Sequence, residues 1–236
     1  MTVAGPIQLS LGISLNDDAT FENFYTTDAN KQAVSALEQF CIGHNNRNVL
    51  IWGQPGSGLT HLLQAVCHSA GNENKSVQFL PLRELIGFAA SDVCEGLEQF
   101  EIVCLDSIDS ICGNKEWEHA LFHLFNNIRD AENSLLVSSH TNPPALPILL
   151  ADLKSRMLGC VRYHITSLTD TDKHQALIKR AAARGMDMPG DVAQFILNRA
   201  SRDTNELFYI LDRLDDASLQ SKRKLTIPFV KEILGL

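Results

Sequence analysis

Nowhere in the sequence does an apolar run approach the roughly 20 residues that a membrane-spanning helix needs. The N-terminus lacks the charged, then apolar, pattern of a secretory leader. The six cysteines (Cys41, Cys67, Cys94, Cys104, Cys112 and Cys160) contain no C-x-x-C pair. Cys67 and Cys104 lie inside apolar segments, where a free thiol is a small hydrophobe. A reduced cytoplasm is the expected location. Positive charge is in deficit too: the 236 residues carry a net charge of −8, so the field of the whole protein repels nucleic acid. Internal repeats and low-complexity tracts are also missing. What remains is an ordinary soluble globular composition, long enough for one large domain or a large and a small one.

The chain is organised around residues 49–66, VLIWGQPGSGLTHLLQAV. Val49 to Trp52 form a short apolar run suited to a buried strand. Gly53, Gly56 and Gly58 follow, with Pro55 between the first two. Leu62, Leu63, Ala65 and Val66 then give the next segment the apolar face of a helix. Strand, glycine-rich loop and helix is the setting of a phosphate-binding loop, because backbone N–H groups and the helix N-terminus converge on an anion. The alternative is a plain flexible strand-to-helix turn. The pattern G-x-x-x-x-G-K-[ST] is met at Gly53, Gly58 and Thr60, but the lysine position is Leu59.

A lysine there would give the β- and γ-phosphates a charge-assisted contact of about 1.5–3 kcal/mol. Leucine offers none. The Thr60 hydroxyl remains as a candidate Mg²⁺ ligand. The prediction is a nucleotide held over Gly53, Pro55, Gly56, Ser57, Gly58, Leu59, Thr60 and His61, with little or no turnover by this chain.

Phe100 to Asp106 is an apolar run ending in an acid, the form of a Walker B strand whose carboxylate orients Mg²⁺ through its water shell. An acid capping the strand-to-loop turn is the competing reading. Ser107 follows, where ATPases of this architecture often place a second acid; Asp109 lies nearby but off that register.

Residues 1–19 read as an extended arm containing Gln8-Leu9-Ser10-Leu11, whose alternation suits insertion into a partner's groove. Phe21, Phe24 and Tyr25 form an aromatic cluster that can stack on any base. It precedes a helix from near Asp28, capped by Asp28 or Asn30. A strand over 76–82, a helical stretch over 83–99 and an amphipathic helix over 117–129 are expected next. His119 and His123 on that helix are spaced i, i+4, without the glutamate of a zinc motif. Strands over 134–139 and 161–166 flank a helix over 152–159, in which Arg156 has Asp152 as a surface ion-pair partner. Beyond Ser167 only helices are signalled. The expected organisation is an arm (1–19), an α/β domain (20–166) and a small all-helical domain (167–236).

TFENFYTTDANKQA, the glycine loop, the acid-ended strand, DLKSRMLG and the closing KLTIPFVKEIL, in this order, resemble the AAA+ ATPases of the DnaA/Hda branch. The resemblance implies a five-stranded parallel sheet flanked by helices, followed by a helical lid. Between sheet and lid it implies ADP, with Mg²⁺ held indirectly through Thr60 and Asp106. It also implies that Arg156 is an arginine finger acting in trans on ATP-bound DnaA, so that the chain restrains replication initiation by stimulating hydrolysis there. Gln8, Leu9, Ser10 and Leu11 would engage the β sliding clamp of DNA polymerase III, although Gly12 departs from the apolar residue that commonly follows. The family's lid arginine corresponds to Asn205, with Arg202 as a partial substitute. Side-by-side homo-oligomers are implied as well. The sequence as given stops at Leu236, before the helix-turn-helix module of DnaA, so strong direct DNA binding is not expected. Two other functions fit the same motifs: a nucleotide-locked clamp adaptor without effect on hydrolysis, and a self-contained P-loop NTPase.

Overall fold

A computed structural model describes residues 15–43, 47–199, 204–221 and 223–235. In chain order its elements are α1 (Lys31–Ile42), β1 (Asn48–Trp52), α2 (Leu59–Asn72), β2 (Val77–Pro81), α3 (Leu82–Leu85), α4 (Ala90–Cys94), β3 (Ile102–Asp106), α5 (Lys115–Asp130), β4 (Ser134–Ser139), α6 (Ala151–Gly159), β5 (Val161–His164), α7 (Asp170–Ala183), α8 (Gly190–Arg199), α9 (Thr204–Ser221) and α10 (Ile227–Leu234).

The five strands pair in parallel throughout, in the order β2-β3-β4-β1-β5. Parallel sheets are covered on both faces, so their central strands are apolar along their length. β3, IVCLD, is buried at every position. On one face Leu37 of α1 and Leu62, Leu63 and Val66 of α2 pack on Ile51, Cys104 and Leu136. On the other, Trp117, Leu121, Leu124 and Ile128 of α5 and Leu153 and Met157 of α6 pack on Leu50, Val103, Leu105 and Val137. The expected sheet flanked by helices is therefore present.

The stretch over 83–99 is not one helix. It breaks into α3, α4 and a 3-10 turn at Leu97–Gln99. Gly96 sits at φ +74°, in the left-handed region that ends a helical run. The Ile86 carbonyl is taken by the Trp117 indole N–H at 3.3 Å instead of by an amide one turn on. The start of α1 also differs from expectation. Asn30 precedes it but its side chain makes no cap bond there, being committed to Thr166 at the end of the sheet.

α7 to α10 form a lid with its own core, in which Leu177, Ala193, Ile196, Leu211, Leu214 and Phe229 are buried together. Thr169 and Asp172 close a reciprocal capping box at the start of α7. All six cysteines are free thiols. Burial pushes those of Cys94 and Cys160 up to about 12. Among the described residues no helix is long and apolar enough to cross a membrane.

Candidate functional site

The loop from Gly53 to Gly58 joins β1 to α2 at the carboxyl edge of the sheet, where open α/β sheets bind ligands. Two of its glycines are required by their surroundings. A Cβ on Gly53 would run into the Ile165 carbonyl oxygen. One on Gly58, at φ +91°, would stand 2.7 Å from the Phe24 ring. Ser57 is buried, and its Oγ has no hydrogen-bond partner. Leu59, in the lysine position, is 3% exposed and belongs to the apolar cluster that includes Phe24 and Leu63. A core side chain thus stands where a phosphate-binding loop carries its cation.

Behind the loop the acid of β3 is fully engaged. The Thr60 hydroxyl donates to Asp106 Oδ2 at 2.8 Å, and the Ser138 hydroxyl donates to Oδ1 at 2.5 Å. The Ser107 N–H in turn donates to Ser138 Oγ at 2.7 Å, from a residue at φ +61°. Asp109 accepts from the His140 N–H at 2.9 Å, and His140 Nδ1 stands 3.5 Å from its other oxygen. Burial works against the Asp109 carboxylate, but these contacts outweigh it and hold its carboxyl below the usual range.

A cleft of about 370 Å³ opens between this edge and the lid. Phe24, Tyr25, Gly56, Ser57, Gly58, Leu59, Thr60 and His61 line one side, and Arg180, Phe208 and Tyr209 line the other. Gly53 and Pro55 shape the loop without lining the cleft. Phe21 packs against the apolar cluster on the α1/α2 face. Asp106 reaches the cleft only through the Thr60 hydroxyl. Arg156 lies on α6, half-buried and outside the lining, and among the described residues its side chain pairs with nothing, Asp152 included. Asn205 falls on α9 with its side chain undescribed, and Arg202 and Gln8–Leu11 lie outside the described residues.

His61 Nε2 sits 2.8 Å from the Thr20 carbonyl, and its ring lies 5.6 Å from that of Phe24. Burial lowers its pKa, so the imidazole is neutral and Nε2–H is the donor. The lid is tied to the same wall. Arg184 pairs with Asp18 and Asp212, and Lys179 Nζ donates to the Phe24 carbonyl at 3.3 Å.

Of the cleft residues that sequence reasoning missed, Phe208 and Tyr209 among them, Arg180 is the one that brings a positive charge to the cleft. It stands three and four places after Leu177 and Ala176 on the buried stripe of α7, and a cation on an apolar stripe is the signal that marks it. It is 8% exposed, its guanidinium lies 4.3 Å over the Phe208 ring, and its Nε has no partner.

A family model for the bacterial DnaA ATPase domain matches residues 15–164, and one for the Hda lid domain matches residues 170–234. Domain III of the Thermotoga maritima replication initiation protein DnaA superposes with a TM-score of 0.79 at 20% identity, over 94% of this chain and 98% of that one. AMPPCP-bound DnaA from Aquifex aeolicus gives 0.70 at 20% identity, over 84% and 65%. The Thermotoga maritima RuvB Holliday junction branch migration motor gives 0.65 at 19%, over 92% and 73%. At such identities the likeness is one of fold. The first family model alone spans well over half of the chain, and the second accounts for the helices after the sheet. The chain belongs to the bacterial DnaA ATPase-domain family, as an AAA+ protein of the DnaA/Hda branch of replication-initiation regulators.

Proposed function

We propose that this chain holds a nucleoside diphosphate, ADP foremost, in the cleft between sheet and lid and does not hydrolyse ATP itself. It lends Arg156 to ATP-bound DnaA beside it, while Gln8 to Leu11 keep it on the sliding clamp. The cleft fits such a ligand. A buried Ser57 hydroxyl lacks a partner, and the loop closes so tightly at Gly53 and Gly58 that no side chain fits there. Thr60 and Asp106 would hold Mg²⁺, which when bound neutralises phosphate charge. Nucleotide binding on this fold is further supported by the AMPPCP-bound DnaA from Aquifex aeolicus.

The observation that carries the reading is the contrast between two positions. Leu59 is a buried apolar residue where hydrolysis in cis needs a cation, and position 107 is a serine where it needs an acid. Arg156 is a half-buried cation outside its own cleft, with no partner among the described residues. A guanidinium delivered to another molecule's γ-phosphate accelerates hydrolysis by about 10³–10⁵-fold. The domain limits that go with this reading are an arm for the clamp (1–19), whose residues 15–19 are packed against the rest, a sheet domain carrying the finger (20–166) and a lid closing on nucleotide (167–236).

The test is the rate of ATP loss from DnaA on clamp-loaded DNA, with the unsubstituted chain and with Arg156→Ala. The unsubstituted chain accelerates it; Arg156→Ala folds, binds the clamp and does not. Stimulation that survives Arg156→Ala rules the finger out, and an ordinary ATPase rate from the isolated chain rules out the division of labour.

A further inference from the structure

We infer that Arg180 is a cis contact for the phosphate tail of the bound nucleotide, supplying from the lid the cation that the loop lacks at Leu59. The inference rests on reading the cleft as a nucleotide site.

Arginines this deeply buried are normally paired. Arg180 is not. Among the described residues it makes no hydrogen bond and no ion pair. The nearest carboxylates are already taken, because Asp18 and Asp212 both pair with Arg184, the residue just past the end of α7. What holds Arg180 in place is the face of Phe208 at 4.3 Å, a contact that orients a guanidinium but leaves its N–H groups unmet. Burial disfavours its charged form, and no carboxylate contact makes up the loss.

The cleft it lines is otherwise suited to an anion. The glycine loop and the N-terminus of the 14-residue helix α2 form the opposite wall. His61 nearby is neutral, and the one acidic residue in the lining among the described residues, Asp212, is neutralised by Arg184. A largely buried cation without a counter-charge, opposite a cradle of amides, is complementary to a phosphate that bridges the two. The same contact ties ligand to lid, since Arg180 belongs to α7 and the cradle to the sheet.

The experiment is a calorimetric titration of ADP with Mg²⁺ into the unsubstituted chain, Arg180→Met and Arg180→Lys, with the melting temperature of each nucleotide-free protein. Methionine keeps the stem and its packing on Phe208 but removes the charge. The expected result is a Kd raised about 10- to 100-fold in Arg180→Met, the loss of one charge-assisted contact. Arg180→Lys falls between. The nucleotide-free Arg180→Met melts close to the unsubstituted chain, because the lost cation–π contact with Phe208 is offset by the burial penalty of an unpaired charge no longer incurred. A Kd within twofold of the unsubstituted chain overturns the inference. So does a lowered nucleotide-free melting temperature or a failure to fold, either of which makes Arg180 a structural residue. If the unsubstituted chain does not bind ADP, it is the nucleotide reading of the cleft that fails.

Discussion

The Thr60 hydroxyl and the Asp106 carboxylate meet at 2.8 Å across the gap between α2 and β3. These two groups would share Mg²⁺, and without it each satisfies the other. Metal binding therefore competes with a hydrogen bond already made. The other carboxylate oxygen is held by Ser138, which fixes the plane of the group. Asp106→Asn keeps an acceptor for one hydroxyl and loses the charge. ADP affinity in that variant is expected to be the same with Mg²⁺ as with EDTA, whereas the unsubstituted chain binds more tightly with Mg²⁺. Parallel titrations in the two buffers check this; a metal dependence that survives the substitution refutes the assignment.

Asn30 is wholly buried and joins the start of α1 to the end of the sheet. Its Oδ1 accepts from the Thr166 N–H at 2.9 Å, and its Nδ2 donates to the Thr166 carbonyl at 3.0 Å. Asn30→Ala loses both bonds to the exposed Thr166 and should cost about 1–3 kcal/mol, at about 0.5–1.5 net per hydrogen bond. Asn30→Asp keeps the acceptor but sets an oxygen against the carbonyl, and should cost at least as much. The urea midpoint falls in both variants at unchanged m-value.

His61 makes stability depend on pH. Its folded pKa lies below the ordinary value of 6.5, chiefly through burial. The unfolded chain therefore takes up a proton first as pH falls. The contribution is intact above 6.5 and is lost as pH falls through 6.5 toward the folded value. His61→Gln keeps a donor for the Thr20 carbonyl but cannot titrate. Melting temperatures followed from about pH 7.5 to 5 should fall less steeply for the variant than for the unsubstituted chain. Equal slopes would show that His61 stays neutral in both states or titrates alike in them.

The parts of the fold legible in the sequence are those whose cause is local. β1, β3 and β4 read as strands because a parallel strand covered on both faces must be apolar throughout, and α5 reads as a helix because Trp117, Leu121, Leu124 and Ile128 share one side. The loop was legible because Gly53, Gly58 and Thr60 fall at the spacing of a phosphate-binding loop between an apolar run and a helical one. The Ile165 carbonyl and the Phe24 ring are why the first two must be glycine. What escaped depends on partners far along the chain. The break inside 83–99 needs Trp117 to capture the Ile86 carbonyl, 31 residues away. Asn30 reads as a cap until Thr166, 136 residues on, claims its amide. Asp109 lies off the expected register because its partner is His140, at the end of another strand. Arg180 breaks the apolar pattern of α7, but only the closed cleft shows what it faces.

Residues 15–24 lie along the seam between the two halves. Asn16 is held to α2 through Gln64 and His68, and Thr20 through His61. Asp18, between them, is held to the lid by Arg184, and the Phe24 carbonyl by Lys179. This segment works as a latch, fastened alternately to one body and the other. The lid cannot swing out without parting it from α2 or from Arg184 and Lys179, and where it leaves with the lid, Phe24 is dragged off the turn at Gly58. Unfastening the lid is then also what would open the cleft for a nucleotide to leave.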